Sequence, residues 1–273
     1  MSSPLVTTVV ITRNRRDQLL ASLGEASGRV IVVDNGSSDG TSLAVRRHFP
    51  EVRVIRLQRN AGALARNVGV AAVWTPYVAF SDDDSWWAPG AVSEAVGYLE
   101  RHEDWALVAA RVLVGPRETP DPVSEEMRTS ALPIVDGAGH KLVVGFLACA
   151  AVARVSALRE VGGFDRVIFF GGEEERVAID LLTEGWLLVH VPSVVAHHHP
   201  CHGGSAQRRE LLACNAVLTA VMRRPWIEVM RRVHRGVRQS GWHPVLLALR
   251  RLPGALARRR PVPAYVEELL RKA

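Results

Sequence analysis

The sequence predicts an α/β fold in which a mostly parallel central sheet is flanked by helices and followed by a C-terminal helical extension. Apolar runs alternate with helical patterns along the first third of the chain, as they do in βαβ units. The runs are continuous, which is typical of strands covered on both faces. From residue 207 onward the pattern is helical and increasingly cationic. The apolar runs are residues 6–11, 29–33, 52–55 and 77–80.

The helices between these strands have ordinary start and stop signals. Residues 15–23 place their leucines on one side, and Gly24 ends the helix. Thr41 can cap a second helix that reaches about His48. The small side chains of residues 63–72 predict a third helix that packs closely on the sheet.

The second part of the chain predicts fewer regular elements. Pro89 begins a helix that reaches about His102, and residues 105–114 form a strand. Residues 115–139 are rich in Pro, Gly and charge, which predicts a mobile surface segment. Another strand begins at Leu187, and we expect Pro192 to end it.

The net charge of +6 is unevenly distributed. Residues 221–273 carry thirteen Lys and Arg against three Asp and Glu, whereas residues 1–220 carry twenty-one against twenty-five. A near-neutral body with a cationic tail favours an anionic membrane surface or partner, and no nucleic acid is expected. The alternative is a tail packed on the body with its arginines in solvent.

Cysteine usage and the chain start indicate a cytoplasmic protein. Cys149, Cys201 and Cys214 are odd in number and lack zinc-like spacing, which argues against a disulfide framework. The first residues lack the basic region of a signal peptide, and the longest apolar run, 142–153, is too short to span a bilayer. Membrane contact is therefore expected only at the periphery, on the inner face.

Three consecutive carboxylates, Asp82, Asp83 and Asp84, follow the fourth predicted strand. Adjacent carboxylates repel each other, so their proximity indicates a bound cation. Oxygen ligands suit Mg²⁺ or Mn²⁺. For the triplet taken alone, a solvated acidic turn is the alternative.

Two other polar groups, residues 12–14 and 34–38, also follow predicted parallel strands. Ligands gather beyond the carboxyl ends of such strands, so one crevice can hold all three groups. The chain has neither GxGxxG after the first strand nor GxxxxGK[ST], which excludes a dinucleotide fingerprint and a P-loop. Phosphates would be neutralised by a metal and by side chains such as Arg66.

Three motifs in this order resemble the nucleotide-sugar half of a family-2 glycosyltransferase of GT-A fold. They are VVDNGSSDGT at residues 32–41, NAG followed by ARNVG at 60–69, and FSDDD at 80–84. The resemblance implies a catalytic domain over residues 1–220, with a nucleotide-sugar half of about 1–114 and an acceptor half of about 140–220. It also implies Mg²⁺ or Mn²⁺ and a nucleotide-diphospho-sugar donor, for which we favour a UDP- or dTDP-sugar.

The resemblance assigns roles to individual residues. Thr12 and Asp34 would contact the nucleoside. Asp82 and Asp84 would form the DxD motif, with Asp82 facing the ribose or the metal and Asp84 binding the metal that bridges the diphosphate. The other donor-binding candidates are Arg13, Asn35, Ser37, Asn60, Gly62, Arg66 and Asp83.

A second acidic cluster, residues 173–175, begins a predicted helix that reaches about Thr183. Carboxylates in a first turn are favoured by the helix dipole, so simple capping is the alternative. The resemblance aligns Glu173 and Glu174 with the family's Glu-Asp pair, with Glu174 at the position of the general base. A carboxylate opposite the leaving group suits a single inverting displacement. The family more often has Asp at that position.

Three adjacent histidines, His197, His198 and His199, follow the last predicted strand. In the family, a histidine after the base helix often completes the metal shell, and we predict His198 in that role. Polar loop residues without a ligand are the alternative for all three.

The predicted function is a metal-dependent, inverting glycosyltransferase that acts on a hydroxyl or amine of a small-molecule, glycan or lipid-linked acceptor. The first alternative is a sugar-phosphate nucleotidyltransferase, although residues 12–15 lack the glycines of its phosphate loop. The second is an inactive binding module of the same fold, whose basic tail binds membrane or nucleic acid.

Overall fold

A computed structural model describes residues 5–200 and 206–273 of the chain. A short 3-10 helix spans Ala148–Ala150. The strands are β1 (Val6–Thr12), β2 (Arg29–Asp34), β3 (Arg53–Arg56), β4 (Tyr77–Asp82), β5 (Ser85–Trp87), β6 (Trp105–Val114), β7 (Thr119–Pro120), β8 (Lys141–Leu142), β9 (Ala151–Arg154) and β10 (Leu187–His198). The helices are α1 (Arg16–Gly24), α2 (Thr41–His48), α3 (Leu64–Ala72), α4 (Ala91–Arg101), α5 (Pro122–Thr129), α6 (Val155–Glu160), α7 (Glu173–Thr183), α8 (Ala206–Arg223), α9 (Trp226–Ser240), α10 (His243–Leu256) and α11 (Ala264–Lys272).

These strands form one sheet in the order β3-β2-β1-β4-β9-β6-β10-β5, with β7 beside β6 and β8 beside β10. Strands β3, β2, β1 and β4 are parallel to one another, as are β6 and β10. Strand β9 is antiparallel to both β4 and β6 and joins the two parallel groups. The predicted α/β fold with a mostly parallel sheet and a C-terminal helical extension is confirmed.

Helices cover both faces of the sheet because successive side chains of the apolar strands point to opposite sides. In β1, Val9 packs in the core on one face, whereas Val10 packs with Leu19 of α1 on the other. Helix α3 lies very close to β1, since a Cβ atom added at Gly69 would stand 2.3 Å from Val9. The small residues predicted for α3 therefore serve this close contact.

The prediction that Pro192 ends the last strand is wrong. Strand β10 continues to His198, and its register with β6 shifts between Val191 and Val195. Proline lacks the N–H that a regular ladder needs, and such an irregularity accommodates it. The continued strand carries the histidines to β5, where His198 lies opposite Ser85.

Residues 115–139, predicted as a surface loop, contain β7 and α5. The Asp121 carboxylate accepts a hydrogen bond from the Val123 N–H at 2.8 Å and so caps α5. The Val112 N–H of β6 donates to the buried Ser124 hydroxyl at 3.1 Å, and Met127 lies in the core. This segment is therefore packed against β6.

Buried arginines join the C-terminal helices to α7 and to one another. Arg223 donates to Asp180 of α7 at 3.0 Å, and Arg224 forms a two-pronged pair with Glu267 at 2.7 and 3.1 Å. The predicted limit at residue 220 falls inside α8. Within the described ranges, none of the helices combines the length and apolarity needed to span a bilayer.

Candidate active site

The ends of β1 and β2 form a loop region that is fixed by its own polar groups. Thr12 lies beside Asp34 in the parallel register, and both are buried. The Asp34 carboxylate accepts from the Ser37 N–H at 2.8 Å and from the Ser42 hydroxyl. Arg13 extends into solvent at the end of β1. The predicted nucleoside-contact residues therefore stand together, on a backbone that is already held in place.

Next to this loop, Gly62 forms hydrogen bonds with the side chains of Asn35 and Asn60. Asn35 donates to the Gly62 carbonyl at 3.0 Å, and Asn60 accepts from the Gly62 N–H at 2.9 Å. Gly62 has a φ of +61°, and a Cβ atom there would stand 2.0 Å from the carbonyl oxygen of Phe169. Only glycine allows this approach, which brings the donor-side loop against the chain that precedes α7.

The three carboxylates at the end of β4 lie beside two arginines. Asp82 Oδ1 accepts from Arg66 Nη2 at 2.7 Å, and Asp84 Oδ2 accepts from Arg15 Nη1 at 2.9 Å. Asp83 Oδ1 lies 3.5 Å from the same Arg15 nitrogen. No sequence pattern singles out Arg15, because only the direction of α1 turns this side chain back over the strand ends.

Of the three histidines, His198 is the one beside the triplet. Its Nε2 lies 3.3 Å from Asp84 Oδ1. His197 stacks on Trp86 with its Nδ1 3.3 Å from Glu118, and His199 meets the edge of the same Trp86 ring. Because side chains alternate along β10, only the middle histidine points to Asp84.

Burial and charge have opposite effects on the pKa values of Asp84 and His198. Burial alone would raise the pKa of Asp84, but the hydrogen bond and charge of His198, together with Arg15, lower it overall. Burial alone would lower the pKa of His198, but Asp84 raises it overall. Burial and the neighbouring Asp84 charge raise the pKa of Asp83 to about 7, against the opposing effect of Arg15.

Asp84 and His198 have a separation that fits a shared divalent ion. Two ligands about 2.1 Å from one ion and roughly at right angles lie about 3 Å apart, close to the 3.3 Å between Asp84 Oδ1 and His198 Nε2. Within the described ranges, His, Cys, Asp and Glu nowhere form a cluster of three that could hold a metal. Mg²⁺ usually takes one or two carboxylates and completes its shell with water and substrate phosphates, so the Asp84 carboxylate fits such an ion, with His198 as a second ligand when its Nε2 carries no proton.

The second acidic cluster begins α7, where the helix dipole favours negative charge. Glu173 is buried, and its Oε1 accepts from Arg66 Nη1 at 2.6 Å. Glu175 accepts from Arg232 of α9 at 2.7 Å. Glu174 instead accepts from the backbone N–H of Ala148 at 3.4 Å. Its neighbours on α7 thus have guanidinium partners, whereas Glu174 has a weak neutral donor.

The surroundings of Glu174 favour its protonated form. Burial, then the charge of Glu173, raise the pKa of Glu174 to about 8, while Arg66 opposes them. The neighbouring Cys149, a free thiol, has its pKa raised well above the usual value by burial and by the charges of Asp82 and Glu174. The turn that contains Ala148 and Cys149 therefore lies between the two acidic clusters.

Arg66 joins these clusters directly. Its side chain is 2% exposed, with one Nη on Asp82 at 2.7 Å and the other on Glu173 at 2.6 Å. Burial would lower the pKa of Arg66, but the charges of Asp82 and Glu173 raise it overall. The guanidinium is engaged with carboxylates of both acidic clusters, whereas the sequence led us to expect it against phosphate. We call the region between the two clusters the cleft.

Two exposed aromatic rings stand just before α7. Phe169 and Phe170 are 39% and 40% exposed. Their backbone is fixed, since the Phe169 carbonyl accepts from the Ala63 N–H at 2.7 Å and the Phe170 carbonyl accepts from the buried Asn215 side chain at 2.9 Å. Exposed apolar rings on a fixed backbone, a few residues before the carboxylates of α7, are typical of a binding surface. The consecutive Phe residues were the available sequence signal.

Comparison with known proteins gives consistent matches. Residues 7–162 match the family model described as Glycosyl transferase family 2. N-acetylglucosaminyl-diphospho-decaprenol L-rhamnosyltransferase of Mycobacterium tuberculosis is 28% identical over 240 residues, which are 73% of this chain and 76% of that protein. Pre-mycofactocin glycosyltransferase of the same species is 34% identical over 204 residues, which are 71% of this chain but 43% of that protein.

The same architecture occurs in a solved structure. The mannosyltransferase PcManGT of Pyrobaculum calidifontis, in complex with GDP-Man and Mn²⁺, is 21% identical, with a TM-score of 0.62. The match covers 99% of this chain and 79% of that one. At this identity the likeness shows a shared fold.

Proposed function

The chain belongs to glycosyl transferase family 2, whose members transfer a sugar from a nucleotide-sugar donor, and on that premise we propose a metal-dependent, inverting transfer at the cleft described above. The family assignment argues against both alternatives, the nucleotidyltransferase and the inactive binding module. The proposal assigns donor binding to the ends of β1, β2 and β4 and proton transfer to the start of α7.

The observation that carries this proposal is the double contact of Arg66. One guanidinium touches Asp82, at the donor-side strand end, and Glu173, next to the proposed base. Carboxylates that share a guanidinium stand within a few ångströms of each other, so the two acidic clusters belong to one site. A metal, a leaving diphosphate and an acceptor can then be adjacent.

On the donor side, Asp84 and His198 would hold Mg²⁺ or Mn²⁺. When bound, the ion would neutralise the charge that develops on the leaving diphosphate. Asp82 would complete the DxD pair, while Arg66 keeps its carboxylate in position. We expect a UDP- or dTDP-sugar as donor, whose base and ribose would lie near Thr12 and Asp34.

On the acceptor side, Glu174 would take the proton of the attacking hydroxyl or amine. A bond forms between the acceptor atom and the anomeric carbon as the bond from that carbon to the diphosphate oxygen breaks, and the diphosphate departs with the electron pair. Because the pKa of Glu174 is raised to about 8, its ionised form is a strong base for a carboxylate. Attack opposite the leaving group inverts the configuration.

We propose a lipid-linked acceptor for this reaction. The exposed Phe169 and Phe170 beside α7 suit an acceptor with apolar parts. The decaprenol in the name of the Mycobacterium tuberculosis relative supports the same class. Such an acceptor would place the enzyme at the inner face of a membrane.

The test compares Glu174→Gln with Glu175→Gln, a matched change at the next residue of α7. Donor binding is measured first, as the rise in melting temperature with UDP-, dTDP- and GDP-sugars, with and without Mn²⁺. Both variants should keep this rise. Turnover should fall by about 10²–10⁴ in Glu174→Gln, the usual contribution of a general base, and stay near wild type in Glu175→Gln. Full turnover in Glu174→Gln contradicts the assignment.

A further inference from the structure

Helices α9 and α10 form an antiparallel hairpin that packs on α8. The two helices follow each other closely, since α9 ends at Ser240 and α10 begins at His243. The guanidinium of Arg259, just after α10, lies 4.1 Å from the ring centre of Trp226 at the start of α9. Val229 of α9 and Ala248 of α10 are buried in the same cluster as Leu218 of α8. We call the exposed sides of α9 and α10, opposite this cluster, the hairpin face.

An apolar row runs along the hairpin face of α10. Its members are spaced by four and three residues, which keeps them on one side of the helix. The opposite side is buried through Pro244, Ala248 and Ala255. The row consists of Trp242 (66% exposed), Leu246 (57%), Leu249 (53%), the exposed Pro253, and Leu256 (45%).

The start of α9 adds three large apolar side chains to the same surface. They are Trp226, Ile227 and Met230, which are 56%, 54% and 63% exposed. Single exposed apolar residues are ordinary, but seven on one helical hairpin form a patch of the kind that marks an interaction surface.

The charges of the hairpin face have one sign. Glu228 is the only acid between residues 226 and 260, and it is buried and paired with Arg231. Four exposed arginines have no ion pair with the part of the chain that the structure describes: Arg235, Arg238, Arg250 and Arg260. The surface thus combines large apolar side chains with positive charge.

We propose that the hairpin face docks on a membrane surface that contains anionic lipids. The Trp and Leu side chains would enter the boundary between headgroups and acyl chains, while the arginines contact lipid phosphates. A second copy of the chain fits less well, because a symmetric contact would oppose identical arginines without a carboxylate between them. Nucleic acid would satisfy the arginines but leave the apolar row in water.

Docking would place the catalytic cleft near the lipid surface. Arg232 of α9 pairs with Glu175 at 2.7 Å, one residue from the proposed base. This orientation gives a lipid-linked acceptor a short path to Glu174, a consequence that rests on the proposed function. The docking itself requires no particular acceptor.

The test is sedimentation of the full chain with vesicles, either of phosphatidylcholine alone or with phosphatidylglycerol added. We compare Leu246→Ser/Leu249→Ser and Arg235→Gln/Arg238→Gln/Arg250→Gln with wild type. Helix α2 supplies matched controls, since Leu43 is 72% exposed there and Arg46 and Arg47 are exposed beside it. The controls are Leu43→Ser and Arg46→Gln/Arg47→Gln.

Wild type and the α2 controls should bind only the anionic vesicles. Each hairpin variant should bind the anionic vesicles at least about tenfold more weakly. Each arginine near the lipid phosphates and each apolar side chain inserted into the bilayer contributes separately to the affinity. Wild type that stays in solution, or hairpin variants that bind as wild type does, would overturn the proposal. So would a dimer, detected by sedimentation velocity, that is lost in Leu246→Ser/Leu249→Ser.

The melting-temperature rise with donor separates this proposal from the proposed function. Every hairpin variant should keep it, because these residues lie outside the cleft. If donor binding is intact and vesicle binding is absent in wild type, only the docking proposal is wrong.

Discussion

The two acidic clusters contain the same kind of side chain but differ in their partners. In the triplet after β4, Asp82 meets Arg66, and Asp84 meets Arg15 and His198. At the start of α7, Glu174 accepts a hydrogen bond from the backbone N–H of Ala148 at 3.4 Å. The pKa of Asp84 is accordingly lowered, against the effect of burial. The pKa of Glu174 is raised, in the same direction as the effect of burial.

This difference indicates how one site can hold a metal and a base a short distance apart. A carboxylate with cationic neighbours stays ionised, which a metal ligand requires. A carboxylate beside another acid, with a weak neutral donor, has a high proton affinity, which a base requires. Arg66 separates the two environments because it neutralises Asp82 and Glu173 together, whereas Glu174 has no ion pair among the described residues.

The largest expected effect comes from Asp84→Asn, which replaces the carboxylate beside His198 by a neutral amide. Metal charge stabilisation is worth several kcal/mol, so turnover should fall by at least about a thousandfold. The donor-induced rise in melting temperature should also lose its dependence on Mn²⁺. Asp17→Asn, an exposed change on α1, is the control. A variant that retains Mn²⁺-dependent donor binding would remove Asp84 from the metal site.

Arg66→Gln should destabilise the fold, because it leaves Asp82 and Glu173 without their shared cation. Removal of one member of a buried pair typically costs about 3–5 kcal/mol, and urea unfolding measures this loss. Addition of Glu173→Gln should restore part of it, because the uncompensated buried charge is then gone. A double variant no more stable than Arg66→Gln contradicts the role given to this guanidinium.

A smaller effect concerns stability at high pH. The pKa of Glu174 is about 8 in the folded protein against an ordinary value of 4.5. In the pH range between these two values, the folded state keeps a proton that the unfolded chain has released. The free energy of unfolding therefore falls as the pH rises through it. Glu174→Gln should melt a few degrees above wild type at about pH 8.5 and match it at about pH 5.

Thermal unfolding at both pH values measures this difference, and Glu175→Gln, whose carboxylate is paired with Arg232, is the control. Equal melting temperatures of Glu174→Gln and wild type at high pH would show that Glu174 is ionised without penalty in the folded state.

The sequence predicted the elements whose burial leaves a simple pattern. Strands β1, β2 and β6 are continuous apolar runs, and the structure confirms them within a residue or two. Strand β9 was not predicted, because residues 151–154 are only four long and include two alanines, which suit several structures. Strand β10 was cut short at Pro192, because the bulge that accommodates proline depends on the neighbouring β6.

In the candidate site, too, some residues could be predicted from a sequence pattern and others depend on the fold. The acidic residues were visible as clusters at strand and helix ends. Their partners were not, because Arg15 and Ala148 reach Asp84 and Glu174 only through the directions that α1 and the 3-10 turn take in space. The choice of His198 over its neighbours likewise became visible only when pairing of β10 with β5 fixed which side each imidazole occupies.

The hydrogen bonds of Asn215 have a consequence for protein engineering. This buried α8 side chain donates to the carbonyls of Phe170 and Gly171, at 2.9 and 2.7 Å, and so anchors the segment that leads into α7. A chimera that imports only that segment from a relative would lose its anchor. Exchange of acceptor preference between homologues should therefore succeed when α8 is transplanted as well, with the two pieces treated as one cassette.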